Sequence, residues 1–299
     1  MDSGKVPGHE DDLLRDDVFF RVLGRAEHGY WKATVEGIPC TTFSVARFKP
    51  GGAPVVRRHG KSQSRGLRGE AFERLPAASK LEAEQANELA WRAAAIAAAV
   101  QRSGGVFIVE NPVDRNGPIA EELGLSFQMP EHVSLWQLAE MRELQSLTGG
   151  ELVHFPQCAL GGRAQKWTTL MYSPAVRGLA ALGALRCTHS KAEHQRSVGR
   201  GEGGKYVTAE FAAYPPALNE AIAEALDAAV PRESAREASA EQAALSRVGR
   251  TFAKGEACVW VPAEAEDTTY GKPCTITHVH CDDGEPYYTV QFADGGERD

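Results

Sequence analysis

Two apolar runs, each ending in polar residues able to do chemistry, constrain this chain more than any other feature. Ala33-Thr34-Val35 leads into Gly37-Ile38-Pro39-Cys40-Thr41-Thr42-Phe43-Ser44, and Phe107-Ile108-Val109 leads into Glu110-Asn111-Pro112. Apolar runs this short read as buried strands. The carboxyl ends of such strands are where an open α/β sheet presents its ligands. The segment before the second run is a helix over 80–101, with Ala86, Leu89, Ala93, Ile96, Ala97 and Val100 at three-to-four spacing and Ser103-Gly104-Gly105 as its stop. Helix, glycine turn, apolar strand is the rhythm of a parallel sheet.

The same reading extends along the chain. A short helix is expected within 16–29 and a strand at 31–36, followed by a long irregular loop over 47–78. Ser134 is placed to cap a helix over 135–147. Strands follow at 151–155 and 167–172, then helices at 175–185 and 218–228. The Ala/Ser/Glu/Arg-rich stretch 230–249 reads as a linker. Beyond it, β-prone runs at 257–261, 274–280 and 287–292 with Gly/Asp turns suggest a small antiparallel barrel. The domain plan is therefore an N-terminal extension over 1–30, an α/β domain over 31–229, the linker, and a barrel over 250–299.

Pro39-Cys40 followed by Phe43-Ser44, with Glu110-Asn111 after the next strand, resembles the nucleophile and Glu-Asn motifs of DNA cytosine-5 methyltransferases. Gly161-Gly162-Arg163-Ala164-Gln165-Lys166 leading into Trp167-Thr168 is similar to that family's later Gln-Lys segment. Leu135-Trp136 adds a likeness to its divergent phage-like or mobile-element-associated members. The likeness covers about 31–225. It implies a partial Rossmann-like methyltransferase sheet with flanking helices, N-terminally truncated. The barrel resembles SH3-like modules of the Tudor type, with Asp282-Asp283-Gly284-Glu285-Pro286 as the recurrent stretch.

The resemblance assigns roles residue by residue. Cys40 would add to C6 of cytosine, making C5 a nucleophile toward the methyl group of S-adenosylmethionine. Its position after a strand, near backbone donors, is expected to lower the thiol pKa. Glu110 would hold the base and protonate N3, while Asn111 fixes the loop and Pro39 shapes the turn. Ser44, Arg163, Gln165 and Lys166 would contact the substrate. The implied partners are DNA, a histone or peptide on the barrel, and a partner supplying the cofactor-binding half. The family's acidic, glycine-rich cofactor loop has no counterpart in 1–35, so the activity itself is in question. The alternative is a catalytically dead nucleic-acid or chromatin-binding protein. A third reading is an acyl-transfer enzyme in which His59, His132 or His154 approaches Cys40.

Composition sets the outer limits. The net charge of −7 does not point to nucleic acid, but local charge is what matters there. Arg47, Lys49, Arg57, Arg58, His59, Lys61, Arg65 and Arg68 form a basic stretch suited to phosphate contacts. Six cysteines without paired spacing argue for a reducing compartment. No apolar run is long enough to span a membrane and no signal peptide is evident, so a soluble, intracellular protein is expected, with a nuclear location implied by the resemblance. Cys158, Cys187, His189 and His194 are suitable metal ligands, yet their spacing matches no standard finger and no metal is assigned. Trp260, Tyr270, Tyr287, Tyr288 and Phe292 are read mainly as barrel core rather than as a cage for a methylated side chain.

Overall fold

The computed structural model describes residues 12–50, 52–53, 55–57, 75–116, 118–125, 129, 131–195, 199, 207, 211, 213–230, 257–260, 272–280, 287–292 and 297–298. The chain divides into two compact units, Met1–Pro231 and Arg232–Asp299.

The first unit is a four-stranded mixed sheet flanked by helices. Its elements are α1 (Asp16–Glu27), β1 (Ala33–Gly37), α2 (Ala77–Arg102), β2 (Val106–Pro112), α3 (Pro118–Glu122), α4 (Ala139–Thr148), β3 (Glu151–Pro156), β4 (Trp167–Tyr172) and α5 (Pro216–Ala229). The strand order is β1-β2-β4-β3. β1 and β2 are parallel, whereas β2–β4 and β3–β4 are antiparallel. This corrects the expectation of a Rossmann-like parallel sheet. Only one pair has the parallel arrangement, because the connection from β3 to β4 is a short turn through 157–166 rather than a crossover helix.

Strand alternation divides the core into two layers. Val106 and Ile108 pack on one face with Val153, Phe155, Leu170, Leu179, Leu218 and Ile222. Phe107 and Val109 pack on the other with Met171, Leu135, Met141, Leu144 and the alanine face of α2. The small side chains of Ala86, Ala90, Ala93 and Ala97 let that helix lie close against the sheet. At its end, Gly105 is needed for space: a Cβ there would lie 2.7 Å from Val100 Cγ1 and 2.9 Å from the Lys32 carbonyl oxygen. α1 covers the outer face of α2 through Phe19, Ala26, Ile96 and Val100.

Several local expectations shift. β2 continues past Val109 through Glu110, Asn111 and Pro112, which pair with Leu170, Thr169 and Thr168 of β4. Ser134 makes no side-chain cap, and 135–137 is a 3₁₀ turn before α4. The expected helix at 175–185 is a 3₁₀ segment, Arg177–Ala184.

The second unit contains β5 (Ala257–Trp260), β6 (Lys272–His280), β7 (Tyr287–Phe292) and β8 (Glu297–Arg298), in the order β5-β6-β7-β8. All three pairings are antiparallel, with a bulge between Ile276 and His278. The sheet is open, which corrects the expected Tudor/SH3-like barrel. Closure needs a staggered pairing of the first and last strands, and among the described residues β5 and the two-residue β8 do not pair. Tyr270 and the side chains of Trp260, Tyr287, Tyr288 and Phe292 lie outside the described residues.

Candidate functional site

β1 and β2 lie side by side in register, with Gly37 opposite Glu110. The loop that follows β1 therefore falls beside the end of β2. Because successive strand residues point to opposite faces, Glu110 and Asn111 serve the two sides of the sheet. Asn111, fully buried, donates its amide Nδ2–H to the Ile38 carbonyl oxygen at 2.8 Å and ties the Cys40 loop to the sheet. His132 holds the same loop further on. Its Nδ1 accepts the Arg115 backbone N–H at 3.2 Å, so Nε2–H donates to the Phe43 carbonyl oxygen at 2.7 Å.

Glu110 faces the layer of α5. Its side chain is buried; Oε2 accepts the Tyr214 hydroxyl proton at 2.9 Å, and the Lys166 ammonium stands 3.5 Å from Oε1. Oε1 has no hydrogen-bond partner. A buried carboxylate oxygen without a hydrogen-bond donor costs about 1–3 kcal/mol or more, a cost the Lys166 ammonium partly offsets here. Half-buried Cys40 lies within electrostatic reach of Glu110, Lys166 and Tyr214. Burial pushes its thiol above the ordinary value; Lys166 pulls it down and Glu110 pushes it further up. This reverses the expected lowering. The Tyr214 hydroxyl is likewise raised above the usual phenol range, by burial first and then by Glu110 and Cys40.

Lys166 and Tyr214 also line a cleft of about 310 Å³, together with Gln157, Gly161, Gly162, Arg163, Ala164 and Phe211 among others; Cys40 and Glu110 are not part of its lining. That is the lower end of small-ligand site volumes. The Lys166 ammonium sits 5.5 Å from the Tyr214 ring centroid, and the exposed Arg163 guanidinium lies 5.6 Å from that of Phe211.

Of the sequence-derived site residues, Cys40, Glu110 and Lys166 come together, Asn111 supports them from the opposite face, and Pro39 is exposed beside them. Ser44 does not present a free hydroxyl: its Oγ accepts the Ala46 backbone N–H at 3.2 Å and caps the next turn. Gln165 is exposed and turned toward Cys187. Tyr214 was missed, its one signal being its place before Pro215-Pro216 at the start of α5.

The expected basic strip is corrected at Arg47 and Arg57. Arg57 is 2 % exposed, bonds to Asn87 Oδ1 and the Ala83 carbonyl, and stacks 4.1 Å over Phe43. Arg47 is held by Glu82 and the Thr41 carbonyl. These arginines brace the Cys40 loop against α2 instead of reaching for phosphate. Arg58, His59, Lys61, Arg65 and Arg68 lie outside the described residues. The acyl-transfer reading loses two of its three bases, because His132 is committed to Phe43 and His154 to Thr169 Oγ1 at 2.8 Å.

No family model matches the chain, and neither a curated protein nor a solved structure matches it. The resemblance to DNA cytosine-5 methyltransferases and to Tudor modules is thereby overturned as a statement of family. Pro-Cys and Glu-Asn are two-residue matches at strand ends, and strand ends concentrate such residues in many unrelated sheets. Among the described residues no helix is long and apolar enough to cross a membrane.

The residues present do not fit S-adenosylmethionine in the manner expected. β1 is an edge strand, and among the described residues what precedes it is α1 and a turn with a single glycine, Gly29, not a strand and a glycine-rich loop. The cleft lined by Lys166 and Tyr214 is walled by the 157–166 connection and the approach to α5, and it offers no carboxylate for a ribose.

Proposed function

We propose that this protein is a thiol-dependent enzyme whose Cys40 adds to C6 of a cytosine-type ring, with Glu110 as the proton carrier. The single observation that carries the reading is the buried Glu110 carboxylate, whose Oε1 lacks a hydrogen-bond partner beside a thiol and an ammonium group. A ring nitrogen carrying a proton would satisfy that oxygen. Glu110 takes the Cys40 proton as the substrate displaces water, and the sulfur forms its bond to C6. The C5–C6 π pair moves toward N3, which receives the proton from Glu110. The Lys166 ammonium favours the thiolate during transfer, and the Tyr214 hydroxyl fixes the carboxylate.

The resulting enamine is nucleophilic at C5. S-adenosylmethionine would supply a methyl group to that carbon, as expected from the sequence, although the described residues give it no seat. In the absence of a donor, C5 takes a proton from solvent and gives one back as the thiolate leaves. Cytosine within DNA is the substrate form in this reading, with exposed Arg163 at the cleft rim available to a phosphate and a nuclear location as its corollary.

The test is exchange of the C5 hydrogen of cytosine in a DNA oligonucleotide dissolved in D₂O, followed by mass spectrometry. Exchange that vanishes in Cys40→Ala and falls by about 10²-fold or more in Glu110→Gln is expected. Parallel reactions with S-adenosylmethionine assay methyl transfer separately. A second reading, a binding protein without catalysis, is favoured by the raised Cys40 thiol; DNA binding with no exchange at any pH would establish it and sink the first.

A further inference from the structure

Cys158 lies in the turn that follows β3, Gln157–Leu160, while Cys187, His189 and His194 come from the segment after Arg177–Ala184. The fold brings one ligand atom from each of the four within 4.8 Å of all the others. Cys187 Sγ is 3.3 Å from His194 Nε2 and 3.8 Å from His189 Nδ1. Four donors around a zinc ion, with Zn–S near 2.3 Å and Zn–N near 2.0–2.1 Å, sit roughly 3.3–3.8 Å from each other along the edges of a tetrahedron. Those two separations already match the edges of a coordination shell, and the remaining ones lie within 4.8 Å.

The arrangement is also held in place. Lys191–Glu193 is a 3₁₀ turn closed by a reciprocal cap, with the Ser190 backbone N–H donating to Glu193 Oε2 at 2.6 Å. His189 and His194 flank that turn, and their rings meet edge to face with centroids 5.3 Å apart. The neighbouring Gln195 N–H donates to the Arg163 carbonyl oxygen at 2.9 Å.

We propose that Cys158, Cys187, His189 and His194 bind a zinc ion at a closed structural site. Two thiolates and two neutral imidazoles balance the charge of Zn²⁺, and the soft–borderline S₂N₂ set in a tetrahedron selects zinc over calcium or magnesium. Four protein ligands leave no open position for a water nucleophile, so the role is structural. The metal ties the 157–166 connection, which carries Arg163 and Lys166 into the cleft, to the segment at 187–195. Binding displaces the thiol protons, so metal affinity falls at low pH. The site does not depend on the reaction proposed for Cys40.

The full chain, purified under reducing conditions and reconstituted with zinc, is expected to retain about one zinc per chain by elemental analysis after gel filtration. Cys187→Ser and His194→Ala are expected to lose it, and Cys40→Ser to keep it. Cobalt replacement in the unmutated chain provides a measurement that does not rely on variants folding. It is expected to give the intense visible bands of tetrahedral Co²⁺ together with thiolate charge-transfer absorption. Chelation is expected to speed hydrogen exchange at the Gln195 amide. A reconstituted chain that holds no zinc, a cobalt spectrum without thiolate bands, or full zinc content in Cys187→Ser overturns the proposal.

Discussion

Tyr214 donates its hydroxyl proton to Glu110 Oε2 at 2.9 Å, joining the approach to α5 with the end of β2. The bond satisfies one oxygen of a buried carboxylate and leaves the other facing Lys166. Tyr214→Phe removes the donor while keeping the ring. The variant is expected to lose about 1–3 kcal/mol of stability in urea unfolding, the usual cost of stranding a buried acceptor, and to slow C5 hydrogen exchange. An unchanged unfolding midpoint would show that water replaces the hydroxyl.

Gly37 brings β1 close to the same hydroxyl. A Cβ at that position would lie 3.3 Å from Tyr214 Oη, tight enough to require a shift of a few tenths of an ångström. Gly37→Ala is therefore expected to disturb exchange activity while changing stability by less than about 1 kcal/mol. Equal activity in the two proteins would mean that Tyr214 can move without consequence for Glu110.

The Cys40 thiol is expected to alkylate with a pH midpoint above that of an unperturbed cysteine, since burial disfavours the thiolate. The sign of each neighbour follows from its charge. Lys166→Met removes a cation that lowers the thiol and should move the midpoint up; Glu110→Gln removes an anion that raises it and should move the midpoint down. Iodoacetamide rates at Cys40, followed by peptide mapping, check both directions.

Asn111→Ala deletes the amide that bonds to the Ile38 carbonyl inside the core. A loss of about 1–3 kcal/mol is expected, with faster Cys40 alkylation as the loop gains freedom. Alkylation at the original rate would show that His132 alone secures the loop.

Phe107, wholly buried between β4 and the alanine face of α2, is a test of the sheet itself. Phe107→Ala should cost about 3–5 kcal/mol through lost burial and the cavity left behind. Thermal unfolding by circular dichroism measures it.

The helix α2 and the strand β2 were legible because alanine spacing and an apolar run between glycines are local signals. Strand direction was not: Val153, Phe155, Leu170 and Tyr172 are apolar whichever way their strands run. The path of the chain through 157–166 decides it. Pairing within the site was half legible. Cys40 and Glu110 stood at predicted strand ends, but Tyr214 meets them only after the chain has folded back through α5. The direction of the Cys40 shift was misjudged because burial around a turn is a tertiary property. Cys158, Cys187, His189 and His194 were legible as ligand types, but not their convergence, because β4 separates Cys158 from the others along the chain and no finger spacing relates them.

The division of labour between Glu110 and Asn111 also bears on how the chain finds its fold. A slip of one residue in the pairing of β2 with β4 would exchange their faces. Glu110 would then enter the layer of Phe107, Met141 and the α2 alanines, far from Tyr214 and Lys166, and Asn111 would lose the Ile38 carbonyl. An unpaired carboxylate in such surroundings is penalised far more than a misplaced valine. The same two side chains that hold Tyr214 and the Cys40 loop thus act as an error check on strand registration, penalising the misaligned sheet.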